Sequence, residues 1–240
     1  MSEEKKTSPW VYLGIGCAVL VVLCVVVVGG LAFWGFRFIK GMAAENRDPV
    51  ARLEKVKSLL GCKELPEGYH AMMGLSVPFL MDIAILSDRE VVWTKGAHSE
   101  HPKKPFDSRG FIYVKTFTGK NDKELQEYLE GKSENLDSLK VQKLDLDAAE
   151  TIGRGSLQQG TMAVRYVAQR GTIRLDRSPV EGVLTVMSLE CPGEGHLRLG
   201  LWFGPDPHPK DPVKEVDFSK TPADPAEIQS CLSHFAPCEH

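Results

Sequence analysis

The densest set of potential ligands lies at the C-terminal end, where Cys231, His234, Cys238 and His240 follow the pattern Cys-x-x-His-x-x-x-Cys-x-His. Zinc takes four nitrogen or sulfur donors in a tetrahedron, and a two-residue gap can set the first pair on one helical face. The surrounding pattern argues against a metal. Ile228, Cys231, Leu232 and Phe235 form an apolar stripe at helical spacing, which points Cys231 inward and leaves His234 beside the stripe. His240 is the last residue, where chains fray. No metal and no cofactor is expected, and these cysteines read as a disulfide or as buried thiols.

Of the six cysteines, Cys17 and Cys24 fall within a long apolar run. The other four, Cys62, Cys191, Cys231 and Cys238, form an even set, as disulfides in an oxidising compartment require. Four cysteines permit three full pairings, and the order of elements favours one bridge. Cys191 ends a strand at 182–190. The next strand, at 196–203, runs to the opposite edge, where the proline-rich loop begins; if that loop stays near its edge, the helix from Pro225 runs back across the sheet and brings Cys238 toward Cys191. A Cys191–Cys238 crosslink is therefore expected, with Cys231 a buried thiol and Cys62 lacking an obvious partner.

A second cluster, His98-x-x-His101 with Glu100 between, sits in the polar segment KGAHSEHPKKPFDSR at 95–109. Pro102 and Pro105 leave it little preorganisation for a metal. Lys95, His98, His101, Lys103, Lys104 and Arg109 instead suit a partner protein or anionic headgroups. Enzyme signatures are absent. Gly153-Arg154-Gly155-Ser156 is followed by Leu157 and Gln158 where a nucleophile elbow needs a glycine. There is no dinucleotide loop, Walker A sequence or His-Glu-x-x-His. No catalytic residue is assigned.

Those residues must be positioned by what precedes and surrounds them. From Thr7 to Phe36 no residue is charged. At ~1.5 Å per residue such a run covers the ~30 Å hydrocarbon core of a bilayer. Trp10 and Tyr12 at one boundary, and Phe33, Trp34, Phe36 and Phe38 at the other, favour the headgroup zone, and Arg37 and Lys40 stop the span. A cleaved signal has a shorter apolar core and a small-x-small cleavage site. The chain therefore divides into a short tail at 1–9, a transmembrane helix at 10–38 acting as an uncleaved signal anchor, a linker at 39–47 and a folded domain at 48–240. Positive charge barely separates the two flanks. The short tail and the even cysteine set favour an extracytoplasmic domain.

The chain carries a formal net charge of −3, and Lys5, Lys6, Arg37 and Lys40 all flank the apolar run, so the domain is more acidic still. Without a basic stripe it is a poor nucleic-acid binder. Helices are predicted at 49–60, where Asp48-Pro49 supplies a cap and first-turn proline; at 121–130, from the capping-box-like Asn121 to Glu124; and at 225–235, where Asp224-Pro225 repeats the first signal. Period-two patterning predicts strands at 69–77, 79–86, 110–117, 139–146, 151–157, 161–169, 182–190 and 196–203, with 90–94 as an extension. Connections too short for helical crossovers make the sheet antiparallel and the class α+β, with about three helices packed on it. The proline-rich segment 204–224 reads as an extended surface excursion.

Paired strands, a helix at 121–130, an antiparallel meander and a closing helix resemble, in that order, the PsbP-like fold of photosystem extrinsic proteins and their bacterial envelope relatives. The similarity covers residues 66–236 and rests on topology. The first helix and the proline-rich loop depart from the minimal pattern. The resemblance implies a non-catalytic accessory or binding domain, and no site residues carry over. The function expected is thus a membrane-anchored binding or accessory domain on the extracytoplasmic face, with a protein or small-ligand partner. The alternative is a membrane-anchored hydrolase or metal-dependent enzyme, which would need a pocket with convergent His, Asp or Glu groups.

Overall fold

The computed structural model describes residues 41, 44–90, 107–116, 122–133, 144–175 and 178–238. The chain separates into two compact units, Met1–Glu45 and Asn46–His240. No described helix is long and apolar enough to cross a membrane, and the 10–38 segment lies outside the described residues. The second unit holds the sheet and the helices packed on it.

Local signals set the helices. In α1 (Pro49–Leu60) the Asp48 carboxylate accepts from the amides of Val50 and Ala51, Pro49 opens the first turn, and Gly61 ends it at φ 64°. The middle helix, α2 (Asp122–Leu129), ends where Gly131 takes a positive φ and Lys132 N–H reaches back to the Glu127 carbonyl. In α3 (Pro225–Leu232) Asp224 caps as Asp48 does, accepting from the Ala226 amide.

The strands are β1 (His70–Val77), β2 (Met81–Ser87), β3 (Gly110–Thr116), β4 (Leu144–Gln159), β5 (Met162–Leu175), β6 (Ser178–Glu190) and β7 (Leu197–Gly204). They form one sheet in the order β1-β2-β3-β7-β6-β5-β4, every neighbouring pair antiparallel. The fold is α+β, as the short connections predict. Both sheet faces are covered. Ile112, Val114, Leu184, Val186, Leu199 and Leu201 pack with Leu125, Tyr128 and Leu129 of α2. On the other face Phe111, Tyr113, Met187, Leu189 and Trp202 pack with Val56 and Leu60 of α1 and with Ile228 and Leu232 of α3. Fully burying a side chain of this kind contributes ~1.5–3 kcal/mol. This two-sided burial leaves residues 110–114 buried without a break, where a strand with one solvated face would expose every second residue.

Helix α1 lies close on β1. A Cβ added to Gly74 would sit 2.9 Å from Lys55 Cγ, so glycine is what permits the approach. β1 is an edge strand, and Asn46 covers it: its side-chain amide donates to the Gly74 carbonyl at 3.0 Å and accepts from the Gly74 N–H at 2.9 Å. At the far end of the chain Cys191 and Cys238 are disulfide-bonded with Cα atoms 5.3 Å apart, the pairing expected from strand direction. Beside it, Ala236 N–H donates to the Leu60 carbonyl at 3.1 Å, and the Phe111 and Phe235 rings stack at 5.0 Å.

Several boundaries differ from expectation. The strands predicted at 139–146 and 151–157 belong to one strand, β4, whose first described residue is Leu144. Its register shifts between Ala148 and Glu150 and again between Thr151 and Gly153, so two bulges interrupt the alternation without ending the ladder. β2 starts at Met81 rather than residue 79, because Pro78, Phe79 and Leu80 form a turn closed by Leu80 N–H to the Val77 carbonyl at 3.0 Å. β5 and β6 extend to a hairpin through Leu175 and Ser178. Residues 91–94 and Asn121 lie outside the described residues.

Candidate functional site

The ends of β2, β3 and β7 meet at one end of the sheet, where the loops at 88–109 and 205–224 both return. The first loop is closed at its neck by Asp88. Its carboxylate accepts from the backbone amides of Asp107 at 2.9 Å, Ser108 at 2.7 Å and Arg109 at 2.8 Å, and from the Ser108 hydroxyl at 3.0 Å. Partial burial works against the charged form, but the three amides and the hydroxyl outweigh it and hold this carboxyl below its usual range. The neck fixes Arg109 immediately before β3.

The proline-rich loop, the surface excursion its composition suggests, is tied to the sheet by side chains. Arg170 of β5, with its side chain 12% exposed, is the hub. Its Nε donates to Asp206 Oδ2 at 2.5 Å, its Nη2 to the His208 carbonyl at 2.7 Å and its Nη1 to the Asp211 carbonyl, while the guanidinium lies 5.6 Å from the Phe218 ring centre. A single 3-10 turn, Val213–Glu215, follows. The return is set by Pro222, whose carbonyl accepts from the Thr185 hydroxyl and whose ring fills the space a Cβ on Gly204 would need, 2.9 Å away. Lys220 adopts φ 62°, and its N–H donates to Asp224 Oδ2 at 3.0 Å, so one carboxylate both fixes this kink and caps α3.

Between these loops and α3 lies an open cleft of ≈ 780 Å³, lined among others by Tyr69, Arg109, Trp202, Lys220, Glu227 and His234. Trp202 Nε1–H donates to the Tyr69 hydroxyl oxygen at 2.7 Å, joining the two aromatic side chains as a wall. Among the described residues, the Arg109 and Lys220 side chains make no ion pair or hydrogen bond, so both cations stand available at the rim. Burial pushes the Tyr69 hydroxyl up to about 12, against the pull of its Trp202 hydrogen bond and of Arg109. Cys231, also on the lining, is pushed up to about 12 by burial, with Glu227 adding to it. Both groups are neutral near pH 7. A smaller cleft of ≈ 370 Å³ shares Tyr69 and runs along α1, where Arg52 is spent on the carbonyls of Ala71 at 2.8 Å and Asn46 at 2.7 Å.

Of the residues singled out in the sequence, Arg109, Cys231 and His234 come together in the larger cleft. Lys95, His98, His101, Lys103, Lys104 and His240 lie outside the described residues. The four-ligand zinc pattern does not assemble: the Cys238 sulfur is bonded to Cys191, and Cys231 is a neutral buried thiol. Among the described residues no group of three or more His, Cys, Asp or Glu side chains is placed to hold a metal ion. Sequence reasoning does not single out Tyr69, Trp202 or Lys220. Their segments are remote from one another in the chain, and only the strand order β1-β2-β3-β7 and the Lys220 kink join them. Comparison with family models, with curated proteins and with solved structures gives no match.

Proposed function

We propose that this chain is a single-pass membrane protein whose folded unit is a non-catalytic binding or accessory domain on the extracytoplasmic face. The observation that carries the reading is the Cys191–Cys238 bridge, since such crosslinks persist in oxidising compartments. The aromatic-flanked segment at 10–38, uncharged through Phe36, supplies the anchor, and the order of elements resembles the PsbP-like accessory fold. The cleft supports binding over catalysis. Two of its reactive groups, the Cys231 thiol and the Tyr69 hydroxyl, are pushed up to about 12 by burial, away from the neutral range in which acid–base and thiolate chemistry operate. What the cleft offers instead is an aromatic wall and two available cations, which suits a ligand with an anionic group beside an apolar or planar part.

Acid quenching of living cells, followed by thiol alkylation and peptide mapping, tests the placement. A Cys191–Cys238 bridge is expected in the cellular protein, with Cys62 and Cys231 alkylated after unfolding. Alkylation of Cys191 and Cys238 as free thiols would overturn the extracytoplasmic reading. Alkaline carbonate washing tests the anchor separately: the chain should stay with the membrane pellet, and its release would contradict a spanning helix.

A further inference from the structure

The β1–β2 turn presents an apolar tip. Phe79 is 88% exposed and Leu80 58%, and with Val50 they are the exposed large hydrophobic residues among those described. Phe79 also has φ 63°. Pro78 fixes the first corner of the turn, Leu80 N–H closes it onto the Val77 carbonyl at 3.0 Å, and the second corner takes the left-handed conformation of a type II turn, which glycine or asparagine adopts without strain. A bulky aromatic there is an outlier. Within the folded unit its ring gains almost no burial in return. Backbone strain combined with adjacent exposed Phe and Leu side chains points to contact with something outside the domain.

The chain itself indicates the occupant. Asn46, the first residue of the folded unit, is hydrogen-bonded to Gly74 in the strand that ends at this tip. Seven residues, 39–45, separate Asn46 from the anchor segment at 10–38, a stretch that spans at most ~25 Å. A chain tethered so briefly keeps a bilayer within reach of β1. We propose that the turn Pro78–Phe79–Leu80 is a second membrane contact, with Phe79 and Leu80 inserted in the interfacial zone of the bilayer that the anchor spans. The inference rests on the anchor proposed above. Because the chain is net acidic, at −3, the contact is apolar rather than electrostatic and does not require anionic lipid.

The test uses the full chain reconstituted in phosphatidylcholine vesicles, with and without bromine on the upper acyl chain. The Phe79→Trp variant adds emission that is isolated by subtracting the parent spectrum. That added emission is expected to be blue-shifted and strongly quenched by the brominated lipid, and raised salt should leave both effects unchanged. Leu80→Trp, next to the strained residue but outside the left-handed conformation, repeats the measurement should the larger ring at position 79 disturb the turn. Lys210→Trp, on the proline-rich loop at the opposite end of the sheet, is expected to show no quenching. Unquenched emission at both tip positions in a chain that resists carbonate extraction would overturn the tip contact alone. Unquenched emission in a chain that carbonate releases would overturn the anchor and the tip together. A blue shift without bromine quenching would indicate a protein contact and also overturn the proposal.

Discussion

Replacing Cys191 and Cys238 by serine should lower the stability of the folded unit by an amount the structure sets. The bridge spans a sequence separation of 47. Closing a loop of that length in the unfolded chain corresponds to ~4 kcal/mol in the chain-entropy account. The native state should change little, since Ile228, Leu232 and Phe235 remain buried against the sheet and Ala236 remains bonded to Leu60. For a unit of this size ~4 kcal/mol translates to a fall in Tm of ~8–16 °C. The assay is a near-UV circular dichroism melt of full-length protein in detergent, with and without reductant. Reductant should lower the parent to the level of the double variant and leave the variant unchanged. A double variant melting within ~2 °C of the parent, about half a kcal/mol, would refute the loop-entropy reasoning. Equal loss on substituting Cys62 would show a different pairing.

Three further outcomes rest on named contacts. Asp88→Ala should cost ~1–2 kcal/mol and speed amide exchange at Ser108 and Arg109. Because the Asp88 carboxyl lies below its ordinary value of 3.8 in the fold, its contribution is complete above that pH and drains as pH falls through the folded value, so the variant should lose this part of the acid dependence. Arg170→Ala leaves Asp206, with its side chain 5% exposed, as a buried unpaired charge. A loss of ~3–5 kcal/mol is expected in chemical denaturation, with new chymotryptic cleavage at Phe218. Burial pushes Tyr113 up to about 12 from 10.0, against the pull of Arg198. Its stabilisation is therefore complete below pH 10 and lost as pH rises toward 12, and Tyr113→Phe should shallow the alkaline limb by ~2–3 kcal/mol in a pH series of urea melts.

The helices are legible in the sequence because their signals are local: Asp48-Pro49 with Gly61, and Asp224-Pro225, are read within a few residues of the backbone they cap. The Cys191–Cys238 bridge is legible because strand direction, together with a 204–224 loop that stays at its own edge of the sheet, returns the last helix toward Cys191. β4 is not, because two bulges shift the parity of inward positions and imitate a strand break. The loop at 204–224 reads as a surface excursion, but what ties it down is not legible, because Arg170 lies on β5 and leaves no trace in the loop's own composition. The cleft is hidden for the same reason. Arg109 stands out by its charge, but Tyr69 and Trp202 carry the alternation of ordinary core positions, and only the strand order β1-β2-β3-β7 brings them together.

The central claim is that the folded unit is tethered to a membrane by residues 10–38 and stands on its extracytoplasmic side. Fusing alkaline phosphatase after His240, in parallel with a reporter active only in the cytoplasm, tests it most directly in a bacterial host. The account predicts an active phosphatase and a silent cytoplasmic reporter, with both fusions in the membrane fraction. An inactive phosphatase with an active cytoplasmic reporter would contradict it.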